Sequence, residues 1–395
     1  MIQKGYKYRI YPNREQETFL MKSFGCSRFV YNWALALKNQ EYAATKKSSN
    51  YFVLEKKMYD LKQEFPWLTE VGAQSLQASL RNLDNAFTRF FKKQGKYPQF
   101  KKKFKNDYSY QIPQNAVIEN NKLWIPKVKS GIKIKIDRPF DGKIKTVTIS
   151  KNAYGQFFVT LLIESNENIK EPEAFDPERT LGIDLGIKDF AVFSDGTRIE
   201  NPKLLRKKLK KLKKIQRKHA KKQKGANNRN KYRKKVAKCH LQIANQRRDF
   251  LHKLTHNLTH NNQVSSIVIE DLAVANMIKN HKLALSISDV GWGEFRRQLD
   301  YKCKWYGKNL IVISRWAPSS KLCPECGQLN DKLTLADREW ICECGAKHDR
   351  DFLAANNIRS FGIEQYRRNY GNLKKKACGE NLAQAELDET GISSL

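Results

Sequence analysis

The sequence has few acids, no long apolar run and no disulfide framework, and each lack excludes something. The longest largely apolar run, Phe157 to Ile163, is too short to span a bilayer. The first ten residues, Met1-Ile-Gln-Lys-Gly-Tyr-Lys-Tyr-Arg-Ile10, carry no apolar core of a signal-peptide type. There is no lipidation motif and no basic amphipathic anchor. Of the eight cysteines, four cluster at Cys323, Cys326, Cys342 and Cys344, whereas Cys26, Cys239, Cys303 and Cys378 are scattered, unlike a secreted scaffold. An intracellular soluble protein is therefore expected. The shortage of acids is the strongest signal: 75 Lys and Arg against 40 Asp and Glu leave a net charge of +35. Such an excess calls for a polyanionic partner.

What is present divides along the chain. Residues 1–10 alternate as a strand would, and Tyr11-Pro12-Asn13 breaks them. Asn13 with Gln16 predicts a capping box. Helical spacing of Phe19, Leu20, Phe24, Val30, Trp33 and Leu37, and later of Leu80, Leu83 and Phe87, predicts a helical domain with mostly buried aromatics. Gly95 to Lys105 interleaves aromatics with lysines, and Lys101, Lys102 and Lys103 are candidate nucleic-acid contacts there. Residues 108–165 read as strands that close with the first strand or stand alone. Ser165–Thr180 is a polar boundary. Between Asn201 and His240 there are nineteen Lys or Arg and no acid, yet Leu205, Leu209, Leu212 and Ile215 keep a helical stripe. This predicts a basic helical hairpin, with Lys207, Lys208, Lys210, Lys211 and Lys214 as candidate contacts to a phosphate backbone. After Gly371 the chain turns polar and is expected to fray.

Three acids stand in unusual surroundings. Asp184 lies mid-strand in Leu181-Gly-Ile-Asp-Leu-Gly-Ile187. Glu270 ends the apolar strand Ile267-Val-Ile-Glu270, and Asp351 sits in His348-Asp-Arg-Asp-Phe352 near a helix start. Carboxylates are hard ligands for Mg²⁺ (or Mn²⁺), and three that converge can hold two such ions for phosphodiester hydrolysis. Asp184, Glu270 and Asp351 are the candidate catalytic and metal-binding set, with Asp349 the competitor for the third place and otherwise a helix cap. Gly182 and Gly186 suggest room for a metal and a phosphate backbone. Asp189, Asp195 and Asp271 read as turn or cap residues.

Cys323-Pro-Glu-Cys326-Gly and Cys342-Glu-Cys344-Gly resemble a zinc ribbon: four thiolates would close a tetrahedral, structural Zn²⁺ site, with a glycine turning each knuckle and His348 a substitute ligand. The second pair is CxC rather than CxxC.

The chain resembles TnpB, the transposon-encoded RNA-guided nucleases related to compact type V CRISPR effectors. Tyr8-Arg-Ile-Tyr-Pro12, Arg28-Phe-Val-Tyr-Asn32, Tyr97-Pro-Gln-Phe-Lys101, Gly182-Ile-Asp-Leu-Gly186, Asn245-Gln-Arg-Arg-Asp-Phe-Leu-His-Lys253, Glu270-Asp-Leu272, the cysteines, His348-Asp-Arg-Asp351 and Ala354-Ala-Asn-Asn-Ile358 carry the resemblance. It implies a multidomain α+β protein: a wedge β-barrel from residues 1–9 and 106–175, a helical recognition domain at 10–105, and an RNase H-like (RuvC) nuclease domain at 176–316 and 348–370. A basic hairpin at 201–260, a zinc-ribbon insertion at 317–347 and a polar tail at 371–395 complete it. The implied partners are a guide RNA and double-stranded target DNA beside a short adjacent motif. No membrane is involved, and a monomeric protein in a ribonucleoprotein of the prokaryotic cytoplasm, nucleoid-associated when on DNA, is implied. A DNA-joining transposase and a guided repressor that does not cut are the alternatives. Leu353 stands where the family commonly has Asn.

Overall fold

The computed structural model describes residues 2–103, 108–165, 167–260, 263–334 and 337–389, with side chains to 369. The chain divides into two compact units, 1–168 with 225–238, and 169–224 with 239–395. Among the described residues no helix is long and apolar enough to cross a membrane.

The first unit opens with β1 (Ile2–Tyr11), followed by α1 (Arg14–Thr45), α2 (Tyr51–Glu64), a 3₁₀ turn (Pro66–Glu70) and α3 (Ala73–Phe91). The capping box forms: Gln16 N donates to Asn13 Oδ1 (2.8 Å) and Asn13 N to Gln16 Oε1 (3.0 Å). Six strands follow: β2 (Tyr108–Ile112), β3 (Val117–Glu119), β4 (Lys122–Trp124), β5 (Ile132–Lys135), β6 (Lys143–Lys151) and β7 (Phe157–Ser165). They join β1 in an antiparallel sheet of order β2-β6-β7-β1-β5-β4-β3. The first strand is thus integral to the sheet. Among the described residues no pairing joins β2 to β3, so the sheet is a half-barrel and not the closed barrel expected. Tyr8, Ile10, Val159, Leu161 and Ile163 fill its inner face with Leu20 and Phe24 of α1. Farther along α1, Val30, Ala34 and Leu35 pack with Leu54, Leu68 and Leu80 in a separate helical core. Phe24, Tyr31 and Phe87 are buried as expected, whereas Phe52, Tyr59 and Phe91 are exposed.

The second unit is built on a five-stranded mixed sheet, order β10-β9-β8-β11-β12. Its strands are β8 (Thr180–Leu185), β9 (Asp189–Phe193), β10 (Arg198–Glu200), β11 (Ser266–Glu270) and β12 (Asn309–Ile313). The first three form a meander; β8, β11 and β12 are parallel. The helices are α4 (Leu204–Ala220), α5 (Asn227–His260, shared with the first unit), α6 (Val274–Met277), α7 (Ala284–Val290), α8 (Trp292–Tyr306) and α9 (Arg350–Glu389). Where fraying was expected after Gly371, α9 continues as helix to Glu389; the tail beyond it lies outside the described residues. A two-stranded piece, β13 (Glu339–Ile341) with β14 (Lys347–Asp349), precedes α9.

Strand alternation sorts the sheet's faces. Leu181, Ile183, Ile267 and Ile269 pack with Leu251 of α5 and Phe295 of α8. Gly182 and Val268 face α9 instead. A Cβ on Gly182 would stand 2.2 Å from Ala355 O, and one on Gly362 2.4 Å from Val268 Cγ1. The room at Gly182 is therefore filled by the α9 backbone, not kept for a metal and phosphate. Gly186 likewise faces Asp189 O at 2.8 Å. Both glycines serve close backbone packing, which corrects the sequence reading. Because the obstacle is backbone, Gly182→Ala must push α9 off the sheet. Calorimetry should show a loss of at least about 1–3 kcal/mol, the usual range for overpacking; an unchanged Tm would mean that α9 yields freely.

Candidate active site

The alternation that turns Gly182 toward α9 turns Asp184 the same way, and that of Val268 turns Glu270 the same way. The printed register pairs Val268 with Gly182 and Ile269 with Ile183, so one more step sets Glu270 opposite Asp184. Adjacent strands lie about 4.8 Å apart. Glu270 is the last residue of β11 and Asp184 the last but one of β8, at the carboxyl edge where open α/β sheets place their sites. Asp351 enters from the first turn of α9.

The electrostatics follow from this crowding. Asp184 is half-exposed by surface, yet deep among protein atoms. Burial first, then the charges of Glu270 and Asp351, push its carboxyl up to about 7, against a pull from the Arg350 guanidinium and a backbone N–H bond. Burial also raises Glu270, while a hydrogen bond from Ser319 Oγ to Oε1 (2.6 Å) favours its ionised form. Asp351 is held by two guanidiniums, Arg350 Nη2 at 3.1 Å and Arg338 Nη1 at 3.2 Å.

Asp349 is engaged otherwise. Its Oδ1 accepts from Phe352 N (2.9 Å), as a cap of α9, and its Oδ2 pairs with Arg198 (2.9 Å). Burial opposes its ionisation, but these bonds outweigh that and hold its pKa low. Asp195 is a turn residue, accepting from Thr197 N, and Asp189 lies 3.5 Å from Arg198. Asp271 is neither turn nor cap: it bridges Arg296 and Arg315.

The four cysteines do converge. Their sulfurs all lie within 4.8 Å of one another, with Cys326–Cys342 at 3.5 Å and Cys323–Cys344 at 3.8 Å. Thiolates about 2.3 Å from a shared tetrahedral zinc would be about 3.8 Å apart, so the set fits that ion. Gly327 (φ 75°) and Gly345 (φ 90°) take the left-handed turns behind each pair, so CxC spacing still closes a knuckle. His348 Nε2 reaches Cys323 Sγ at 3.3 Å, against the outside of the cluster. Leu353 packs among Cys323, Trp340 and Cys342, so it supports the cysteines rather than the acids.

The basic arm is shaped by its caps. Asp289 accepts from Leu205 N (2.9 Å) and Arg206 N (3.2 Å), and pairs with Arg247 (3.1 Å), fixing the start of α4. Lys207, Lys210, Lys211 and Lys214 are exposed on α4, whereas Lys208 is tied to Gln246 Oε1 (2.6 Å). Lys210, Lys213, Lys214, Arg217, Lys218 and Lys221 share one open face of α4 and its C-cap; four of these were not singled out because a run of like charges does not reveal which members share a face. In the first unit Lys101 lies on α1, its backbone paired with Asn32 and its Nζ 4.2 Å from the Tyr31 ring centre. Lys102 and Lys103 are exposed. Ser319, Arg338 and Arg350, which touch the acids, were also not anticipated: no periodicity marks the contacts of Ser319 and Arg338, and Arg350, beside Asp351 in sequence, was passed over.

A crowded, partly exposed carboxylate cluster on a mixed sheet, a four-cysteine knuckle and a basic helical arm define a nucleic-acid-handling α/β protein. Three family models match successive segments: a helix-turn-helix domain of the OrfB IS605 group over residues 1–47, OrfB IS605, described as "Probable transposase", over 161–281, and a Cas12f1-like TNB domain over 292–358. The chain is 41% identical over 400 residues to a Streptomyces pristinaespiralis protein, spanning 100% of this chain and 96% of that one. It is 33% identical to InsQ of Escherichia coli (strain K12), over 91% and 92% of the two chains. Both are named "Putative RNA-guided DNA endonuclease". A solved mini-RNA-guided endonuclease, CRISPR-Cas_phi3, aligns over 92% of both chains with a TM-score of 0.47 and 10% identity. The chain belongs to the OrfB family of IS605 type, the TnpB family.

The raised pKa of Asp184 has a sign that can be checked. The folded protein keeps a proton that the unfolded chain releases near pH 4. Between there and about 7 the folded state binds more protons, so stability falls as pH rises through that window. Without divalent ions, the Tm of the wild type relative to Asp184→Asn should drop from about pH 5.5 to about pH 8. Mg²⁺ should restore more of it at the higher pH. Parallel Tm curves would contradict the crowding.

Proposed function

We propose that this protein is an RNA-guided DNA endonuclease whose single RuvC-type, RNase H-like centre is formed by Asp184, Glu270 and Asp351. The observation that carries the reading is the convergence of these three acids on the α9 face of the sheet, in a chain of this family. Two Mg²⁺ ions (or Mn²⁺) held there would prepare a water and stabilise the leaving oxygen of a phosphodiester. Asp184, which feels the charges of both Glu270 and Asp351, would be a ligand in common with each of them. Asp351 would hold an ion beside Asp184, and Arg338 and Arg350, which pair with it here, would stand near enough to meet phosphate oxygens. Asp349, committed to the α9 cap, is left out.

Cys323, Cys326, Cys342 and Cys344 would hold a structural Zn²⁺ in the ribbon at 317–347. In this reading the guide RNA pairs with one strand of the target while the protein reads the adjacent motif and the backbone. The helical part, 10–105, and the wedge, 1–9 with 106–175, serve recognition. The basic face of α4 takes phosphates, joined by Lys101, Lys102 and Lys103. The protein acts as a monomer in a ribonucleoprotein in the prokaryotic cytoplasm, on the nucleoid when bound to DNA.

The test is cleavage by the protein purified with the RNA encoded beside its gene, on DNA matching that RNA, in Mg²⁺. Asp184→Ala and Glu270→Ala should abolish cutting and leave RNA binding unchanged. Joined strands would favour the transposase, and tight guided binding by a wild type that never cuts would favour the repressor. Neutralising Lys207, Lys210, Lys211 and Lys214 together should weaken nucleic-acid binding and flatten its salt dependence by up to about 3–4 units of log–log slope, at roughly 0.9 per phosphate contact. A change in sequence preference instead would mean that α4 reads bases.

A further inference from the structure

The segment between β12 and Cys323 leads into the ribbon, and it is pinned at three points beside the acids. Arg315 reaches Asp271, the neighbour of Glu270. Ser319, itself buried, donates its hydroxyl to Glu270 Oε1 at 2.6 Å. Behind it stands Asn357 of α9, 3% exposed, whose amide donates to Ser319 O (2.7 Å) and to Leu322 O (2.8 Å). Leu322 precedes Cys323, so one buried amide holds the backbone carbonyl of the residue whose hydroxyl touches the second acid, and that of the residue that opens the cysteine knuckle. The same helix carries Asp351 one side of Asn357 and, through Leu353, packs on Cys323, Trp340 and Cys342.

We infer that Ser319 is a positioning residue for Glu270, and that Asn357 sets Ser319 by tying it to the helix of the third acid and to the cysteine knuckle. This rests on the reading that Glu270 binds a divalent ion. The hydroxyl occupies one lone pair of Oε1 and fixes the carboxylate's rotation, which leaves Oε2 free of this bond. A carboxylate ligand left without such a partner turns freely, and losing a partner of this kind typically weakens metal binding by about 10–100-fold. The arrangement also gives the cysteine cluster a second consequence. A knuckle that opens moves Leu322, and through Asn357 it releases Ser319 from Glu270. The cluster and the acids, distant in sequence, then respond as one unit.

The experiment is Mn²⁺ binding to the full chain with its RNA, followed by electron paramagnetic resonance, alongside zinc content and Tm. The variants are Ser319→Ala, Ser319→Thr, Asn357→Ala and Glu270→Gln. Ser319→Ala should weaken Mn²⁺ binding by about 10-fold or more with zinc content unchanged. Its effect on the Mg²⁺ concentration for half-maximal cutting should be equal. Ser319→Thr, which keeps the hydroxyl, should recover most of the loss, whereas a merely structural role would not distinguish the hydroxyl from its absence at constant Tm. Asn357→Ala should weaken Mn²⁺ binding in the same direction. Should Ser319→Ala bind Mn²⁺ as the wild type does while Glu270→Gln does not, the inference is overturned and the metal reading stands. Mn²⁺ binding indifferent to Glu270→Gln overturns both.

Discussion

Like charges held close in a poorly solvated place are the constraint on which the second unit turns. Burial first, and then the charges of Glu270 and Asp351, hinder the ionisation of Asp184 and push its carboxyl up to about 7. A protein that needed only stability would not keep such a group, because an apolar side chain there would cost nothing to bury. The surrounding chain supplies partial remedies: a hydroxyl for Glu270, two guanidiniums for Asp351, and for Asp184 little beyond a backbone N–H and the more distant charge of Arg350. The deficit that remains is of the kind divalent cations remove.

Helix α9 converts that constraint into geometry. It lies against β8 and β11 because Gly182 and Gly362 let backbone and side chains approach to distances that a Cβ would forbid. Having come that close, it places Asp351 at its first turn, Leu353 against the cysteines and Asn357 under the loop that bears Ser319. Asp349 caps the helix and so settles where its first turn begins. Packing, metal chemistry and the knuckle thus share one element, and the parallel pairing of β8 with β11 supplies the other two acids.

Much of this was legible in the residues, for physical reasons that differ from place to place. The three acids stood out because a charged residue ending an apolar strand is costly unless used, as at Glu270. The capping box at Asn13 and Gln16 and the meander after Asp184 were local, and local chemistry decides them. The cysteines announced themselves by spacing, and their glycines by position. Contacts that depend on the assembled fold were not legible. Ser319 reaches an acid 49 residues away and Arg338 one across the cysteine segment, and the basic face of α4 depends on which lysines share a helical face. Gly182 was misread because its neighbour is a helix that arrives from more than a hundred residues downstream. The half-barrel was read as closed because alternation shows which face of a strand is buried, not whether the sheet's edges meet.

The central claim is that Asp184, Glu270 and Asp351 form one divalent-ion site, from which Asp349 is excluded. Crystals of the ribonucleoprotein soaked in Mn²⁺, measured for anomalous scattering at the manganese edge, test it most directly. The account predicts manganese bound among the three carboxylates. A separate zinc signal should stand at the cysteines. Manganese on Asp349, or none between Asp184 and Glu270, would contradict it.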